Sequence, residues 1–211
     1  MRTLEELMTV EDDDRTRAWE NEFLVALTNS NVKVLMEEPQ TGPDGWPYLL
    51  VSTEEGTEPV QKILAWLATR GIGLVVNPYR KDYPDYILSY GMIWHFRETG
   101  LFFKNVQPQE VGEAEYDISK IHAGTPSPQY LPDPVRAVLR RFFNDQQVKN
   151  PKILLISPDK LNYDLAFSIE SLGNPPEEEH AGIAEAVGWF LPPHYSIVLV
   201  NEKGLPPFVD L

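Results

Sequence analysis

Apolar positions along the chain switch between a spacing of three or four residues and strict alternation, and each switch marks an expected change of element. Thr3 followed by Glu6 has the form of a capping box ahead of Leu4, Leu7 and Met8, which predicts a short first helix. After Asp14, the residues Trp19, Phe23, Ala26 and Leu27 fall on one helical face until Asn29, Ser30 and Asn31 stop the run. Val32, Val34 and Met36 then alternate with Lys33 and Leu35, and Tyr48 to Val51 is apolar beyond the turn residues 42–47. Two strands joined by a loop are expected there. Thr57 as cap, Pro59 in the first turn, a stripe of Val60, Ile63, Leu64 and Leu67, and a closing Arg70-Gly71 predict a further helix. Residues 72–76 read as a strand that Asn77-Pro78 ends, because proline lacks the amide a ladder requires. Tyr83, Tyr86, Ile87, Tyr90 and Trp94 recur at helical spacing, Leu101 to Val106 reads as a strand, and Ile118 to Ile121 is a short extended candidate.

The remaining pattern repeats the same order. Asp133 and Pro134 open a helix with Val135, Val138, Leu139, Phe142 and Phe143 on its apolar face. Lys152 to Ser157 reads as a strand, and the alternation of Tyr163, Leu165, Phe167 and Ile169 predicts a second one hairpinned to it through Pro158-Asp159. Asn174 is the expected cap of a helix whose first turn holds Glu177, Glu178 and Glu179 and whose stripe is Ile183, Ala184, Val187 and Leu191. Pro192-Pro193 stops it, and Tyr195 to Val200 reads as a third strand. Between the two series lies a run from Gly124 to Pro134 too rich in proline for a helix or a central strand. The fold class expected is therefore α+β, with two small modules, residues 1–125 and 126–211, each packing helices on a mixed or antiparallel sheet in an α-β-β-α-β order. The common order raises a structural duplication as a hypothesis, although no residue-level repeat accompanies it.

Composition narrows the partners more than the fold. Of 211 residues, 18 are Lys or Arg and 32 are Asp or Glu, a formal charge of −14 that repels phosphate backbones and anionic lipid at long range. Nucleic acid and membrane are disfavoured as partners. The absence of cysteine removes disulfides, thiolate metal sites and thiol catalysis. Acidic residues near the start and the lack of a long apolar window lead to the expectation of a cytoplasmic protein.

Chemistry-bearing residues are scattered. His95, His122, His180 and His194 form no local pair of the kind that gives a metal two ligands from one turn. The acids 11–14 lack the glycine and the closing glutamate of a calcium loop, and read as a solvated cap on the next helix. No nucleophile elbow, phosphate loop or dinucleotide fingerprint is present. No catalytic residue, metal ligand or cofactor is assigned. Two surfaces remain as binding candidates. One is the aromatic stretch that contains Asn77, Tyr79, Tyr83, Trp94 and His95; the other is the basic concentration of Arg136, Arg140 and Arg141, with Lys149 and Lys152 nearby. Each also has a plainer reading, as core packing and as a solvated helix face respectively.

Three stretches carry a family resemblance: Trp19 to Met36, the run Gly71-Ile-Gly-Leu-Val-Val-Asn-Pro78, and the block Pro126 to Leu211. The block contains Arg140-Arg141-Phe142-Phe143, a hairpin, a helix ending in Leu191-Pro192-Pro193, and a closing Pro207-Phe208. In these the chain resembles the SseB family of bacterial proteins, which join an N-terminal and a C-terminal α/β module; the segment Tyr79 to Asp117 departs from it. The resemblance implies a cytoplasmic protein, known for a serine-sensitivity phenotype and without an established reaction, and transfers no catalytic residues. The leading expectation is a non-enzymatic binding or regulatory protein whose partner is another protein, with a homo-oligomer left open. One rival is a hydrolase-type enzyme whose site converges from distant residues, His95 or His194 with Glu98 or Asp164. The other is a small-molecule sensor with a cleft between the modules.

Overall fold

Thr3 closes the expected capping box. Its Oγ1 accepts the Glu6 amide at 3.2 Å while Glu6 Oε2 accepts the Thr3 amide at 2.7 Å, starting α1 (Leu4–Met8). The computed structural model of the chain describes residues 2–103 and 121–211. A 3-10 turn over Asp12–Asp14 leads to α2 (Arg17–Thr28), whose Trp19, Phe23 and Leu27 are buried as their spacing predicts. There follow β1 (Asn31–Val34), β2 (Gln40–Thr41), β3 (Pro47–Ser52), β4 (Glu58–Pro59), α3 (Val60–Ala68), β5 (Gly73–Val76), β6 (Tyr86–Leu88) and α4 (Tyr90–Thr99). Beyond residue 121 come β7 (His122–Gly124), α5 (Asp133–Asp145), β8 (Lys152–Ser157), β9 (Asp164–Ser168), α6 (Glu177–Gly188), β10 (Ser196–Val200) and β11 (Val209–Asp210). The described residues thus hold six α-helices and two mixed sheets of six and five strands, an α+β fold.

The chain divides into two compact units between Phe102 and Phe103. In the first, the sheet order is β4-β1-β3-β5-β6, with β2 also paired to β3. β1 lies antiparallel to β3 with Val34 opposite Val51, and β3 lies parallel to β5 with Val51 opposite Val76. Leu49, Val51, Leu74, Val76 and Leu88 share one face and are almost fully buried. Phe23 of α2 packs there against Tyr86, with ring centroids 5.0 Å apart.

In the second unit the order is β10-β9-β8-β11, with β7 also on β8. β8 is antiparallel to β9, and β9 is parallel to β10 with Ser168 opposite Val200. Phe143 of α5 sits 5.5 Å from Phe167 on one face of this sheet. On the other, Leu154, Ile156 and Ala166 form a core with Phe208. The apolar tail 205–211 therefore packs on its own unit: β11 pairs with β8, and Leu211 is buried. Both units run strand, antiparallel strand, helix, parallel strand: β1-β3-α3-β5 and β8-β9-α6-β10.

Several expectations shift. Tyr83 to Trp94 is not one helix: Tyr86 to Leu88 pairs antiparallel with β5, and Ser89 caps α4 by accepting the Met92 amide at 3.3 Å. Pro84 disfavours a helical residue before it, and β5 offers an open ladder that outweighs the helical spacing. Thr57 does not cap α3, since Glu58 and Pro59 pair with β1 and the Val60 amide donates to Ser30 O at 3.1 Å. Asn174 adopts φ 57° in a turn rather than capping α6, which starts after Pro176. Leu101 to Phe103 form no strand; residues 104–106 and 118–120 lie outside the described residues. The proline-rich run expected between modules falls inside the second unit, because β7 ahead of it pairs with β8, His122 opposite Ser157.

Candidate functional site

The loop between β5 and β6 is built around a buried carboxylate. Asn77 leaves β5 at φ 51°, a left-handed conformation that asparagine tolerates better than most residues. Its Oδ1 accepts the Thr53 amide at 2.8 Å, and its Nδ2 donates to Thr53 Oγ1 and to Asp85 Oδ2, each at 2.9 Å. The Asp85 side chain is 1% exposed. Arg15 Nη2 reaches its Oδ1 at 2.9 Å, Arg80 Nη1 reaches its Oδ2 at 3.0 Å, and Arg15 Nη1 donates to Asp85 O at 3.1 Å. The same two guanidinium groups bond Val10 O and Met8 O, and Arg15 stacks on Trp19 at 4.6 Å. A carboxylate taken out of water in this way is tolerable because every oxygen finds a charged or amide donor. The result is a loop tied at its start to Thr53 beyond β3, and in its middle and at its end to the end of α1 and the segment that leads to α2.

From that fixed loop, Tyr79 and Tyr83 project into solvent, 73% and 81% exposed. Trp94 and His95 are placed differently, both 4% exposed on α4. Trp94 stacks on Tyr90 at 5.9 Å, Tyr90 stacks on Trp46 at 6.1 Å, and Tyr90 Oη donates to Ala68 O at 3.0 Å. Burial pushes the Tyr90 phenol up to about 12. The structure thus brings Asn77 into the scaffold of the loop, leaves Tyr79 and Tyr83 on its surface, and sets Trp94 and His95 in the interior.

The three arginines of α5 also separate by role. Arg136 Nε donates to Leu131 O at 3.0 Å and its Nη2 to Pro126 O at 2.8 Å, which holds the proline-rich turn against the helix. Burial and the neighbouring Arg140 charge lower its pKa, with Asp133 acting in the opposite sense. Arg140 donates to the Leu211 backbone oxygen and so ties the tail to α5. Arg141 is exposed.

A cleft of about 690 Å³ opens in the second unit beside the carboxyl ends of β9 and β10, lined among others by Lys149, Lys152, Glu170, Ser171 and Glu202. Ser168, fully buried, donates to Glu202 Oε1 at 2.6 Å and accepts the Ser171 amide at 3.0 Å. Glu170 accepts the Glu202 amide at 3.1 and 3.2 Å. Among the described residues, no group of three His, Asp or Glu side chains is placed to hold a metal ion. Of the acids 11–14, Asp12 pairs with Arg15 at 3.1 Å and with Lys81 at 3.2 Å. His180 Nε2 lies 3.0 Å from Pro175 O.

Sequence reasoning missed Asp85, Arg15, Arg80 and Thr53, whose partners stand 5 to 72 positions apart in the chain. No local signal marks Asp85 as buried, because its donors Arg15, Arg80 and Asn77 are brought to it by tertiary structure. Glu170 and Glu202 were likewise invisible as a pair, since parallel register alone makes them neighbours. No helix among the described residues is long and apolar enough to cross a membrane. The chain matches no family model, and searches of curated proteins and of solved structures return no match.

Proposed function

We propose that the chain is a non-enzymatic binding or regulatory protein of the kind the SseB resemblance implies, working in the cytoplasm and engaging another protein through the loop 77–85. The observation that carries this reading is the contrast between Tyr79 and Tyr83, largely in solvent, and the buried Asp85 network that fixes the backbone beneath them. Tyrosine offers large contact area with few rotatable bonds, and a loop already ordered loses little entropy when a partner docks. Arg141 extends the candidate surface of the second unit, while Arg136 and Arg140 act there as internal ties.

The test is quantitative recovery of partners from native cells by the intact chain and by a Tyr79→Ala/Tyr83→Ala variant of equal thermal stability. Loss of a specific partner with the variant supports the reading. Recovery of the same partners in the same amounts removes the loop from the interface.

A further inference from the structure

The carboxyl ends of parallel strands are where sheets joined by helical crossovers leave room for a ligand. In the first unit the chain fills that place itself: Asn77 after β5 bonds Thr53 after β3, and Asp85 beside them holds the guanidinium groups of Arg15 and Arg80. The matching register in the second unit puts Glu170 two residues beyond Ser168, as Thr53 stands two beyond Val51, with Glu202 following β10. Carboxylates again occupy the strand ends, held by Ser168 and by a backbone amide. Here, however, no Arg or Lys among the described residues makes an ion pair with either. Lys149 and the half-buried Lys152 line the same cleft and are likewise outside every ion pair of the described residues.

Two carboxylates and two ammonium groups around one opening leave it without net charge. A simple anion entering it meets Glu170 and Glu202, and a simple cation meets the two lysines, so each gains little. A molecule with both charges satisfies both sets, and Val148 and Leu172 offer apolar surface beside them. The geometry points to the strand-end cleft of the second unit as a binding site for a small zwitterion of the amino-acid class, its cationic nitrogen on Glu170 and Glu202 and its carboxylate on Lys149 and Lys152. The first unit, with cations of its own chain on Asp85, is the closed counterpart of this open site.

The experiment is isothermal titration calorimetry of the full chain with glycine, L-alanine, L-glutamine and L-phenylalanine, with acetate and methylammonium as single-charge probes. Saturable heat is expected from at least one amino acid and from neither single-charge probe. Glu170→Gln and Lys149→Gln, both at exposed positions and each checked for an unchanged thermal transition, are expected to weaken that binding at least about tenfold. No saturable heat from any of the four amino acids overturns the assignment. Affinity equalled by acetate or methylammonium, or untouched by both substitutions, overturns it as well.

Discussion

Asp85 and Tyr83 stand two residues apart and lie at opposite ends of the energetic scale. The Asp85 carboxylate has given up its hydration and depends on Arg15, Arg80 and Asn77 in return. Asp85→Asn keeps the shape and leaves two guanidinium groups facing a neutral amide, and breaking a largely buried pair from one side costs about 3 kcal/mol. Urea unfolding followed by tryptophan fluorescence measures it; a loss below about 1 kcal/mol would mean that the network is better hydrated than its geometry indicates. Tyr79→Ala and Tyr83→Ala remove rings that pack mostly against water and are expected to change stability by less than about 0.5 kcal/mol. Asp159 gives a pH signature of its own. It accepts the amides of Asn162 and Leu161, each at 2.8 Å, and the Asn162 side chain at 2.6 Å, which lower its pKa from an ordinary 3.8 to about 2. The folded value lies below the unfolded one, so its contribution is complete above about pH 4 and fades as the pH falls towards 2. A carboxyl-carbon NMR titration should place the Asp159 midpoint near that lower value, and Asp159→Ala should flatten the acid limb of stability over that window.

At the scale of elements, one glycine governs how the connection from β3 to α3 crosses the start of β1. A Cβ at Gly56 would lie 2.3 Å from Asn31 O and 2.6 Å from Val32 Cα, backbone atoms that cannot swing aside. Gly56→Ala is therefore expected to cost about 3 kcal/mol through displacement of β4 from β1. Gly182, inside α6, meets nothing within 4 Å, and Gly182→Ala is expected to stabilise by up to about 1 kcal/mol through helix propensity alone. Thermal denaturation of the two variants side by side should move the transition in opposite directions. The same contrast explains what the sequence could show. Long stripes such as Trp19-Phe23-Leu27 or Val60-Ile63-Leu64-Leu67 announce their helices because burial on one face repeats several times. The β8 to β9 hairpin is legible for the same reason, with alternation long enough to count. Strands of two or three residues, β2, β4, β6, β7 and β11, have no period to detect, and a partner strand rather than local preference makes them. Tyr86 belongs to β6 although its spacing to Tyr83 and Tyr90 matches a helical turn, a coincidence that periodicity alone does not expose. Of the candidate loop, Asn77, Tyr79 and Tyr83 could be singled out locally, whereas Arg15 and Asp85 meet across 70 positions that only tertiary structure closes.

At the scale of the whole molecule, a formal charge of −14 sets carboxylates against one another throughout the sequence. Salt weakens that repulsion, and it also weakens whatever attraction surface ion pairs supply. The balance can be decided from the pairs themselves. Arg2–Glu22, Lys33–Glu55 and Arg97–Glu98 are widely exposed, so water and mobile ions leave each with little net attraction. The strongest pairs converge on Asp85, almost fully shielded from solvent, where mobile ions screen little. Salt therefore removes more repulsion than attraction, and the melting temperature is expected to rise as sodium chloride increases towards physiological strength, where the screening length falls to about 8 Å. Potassium chloride should give the same rise, since the effect depends on ionic strength and not on a bound ion. A melting temperature that falls with salt would show that exposed ion pairs outweigh the net charge, and a rise with only one of the two salts would place a specific ion site on the protein.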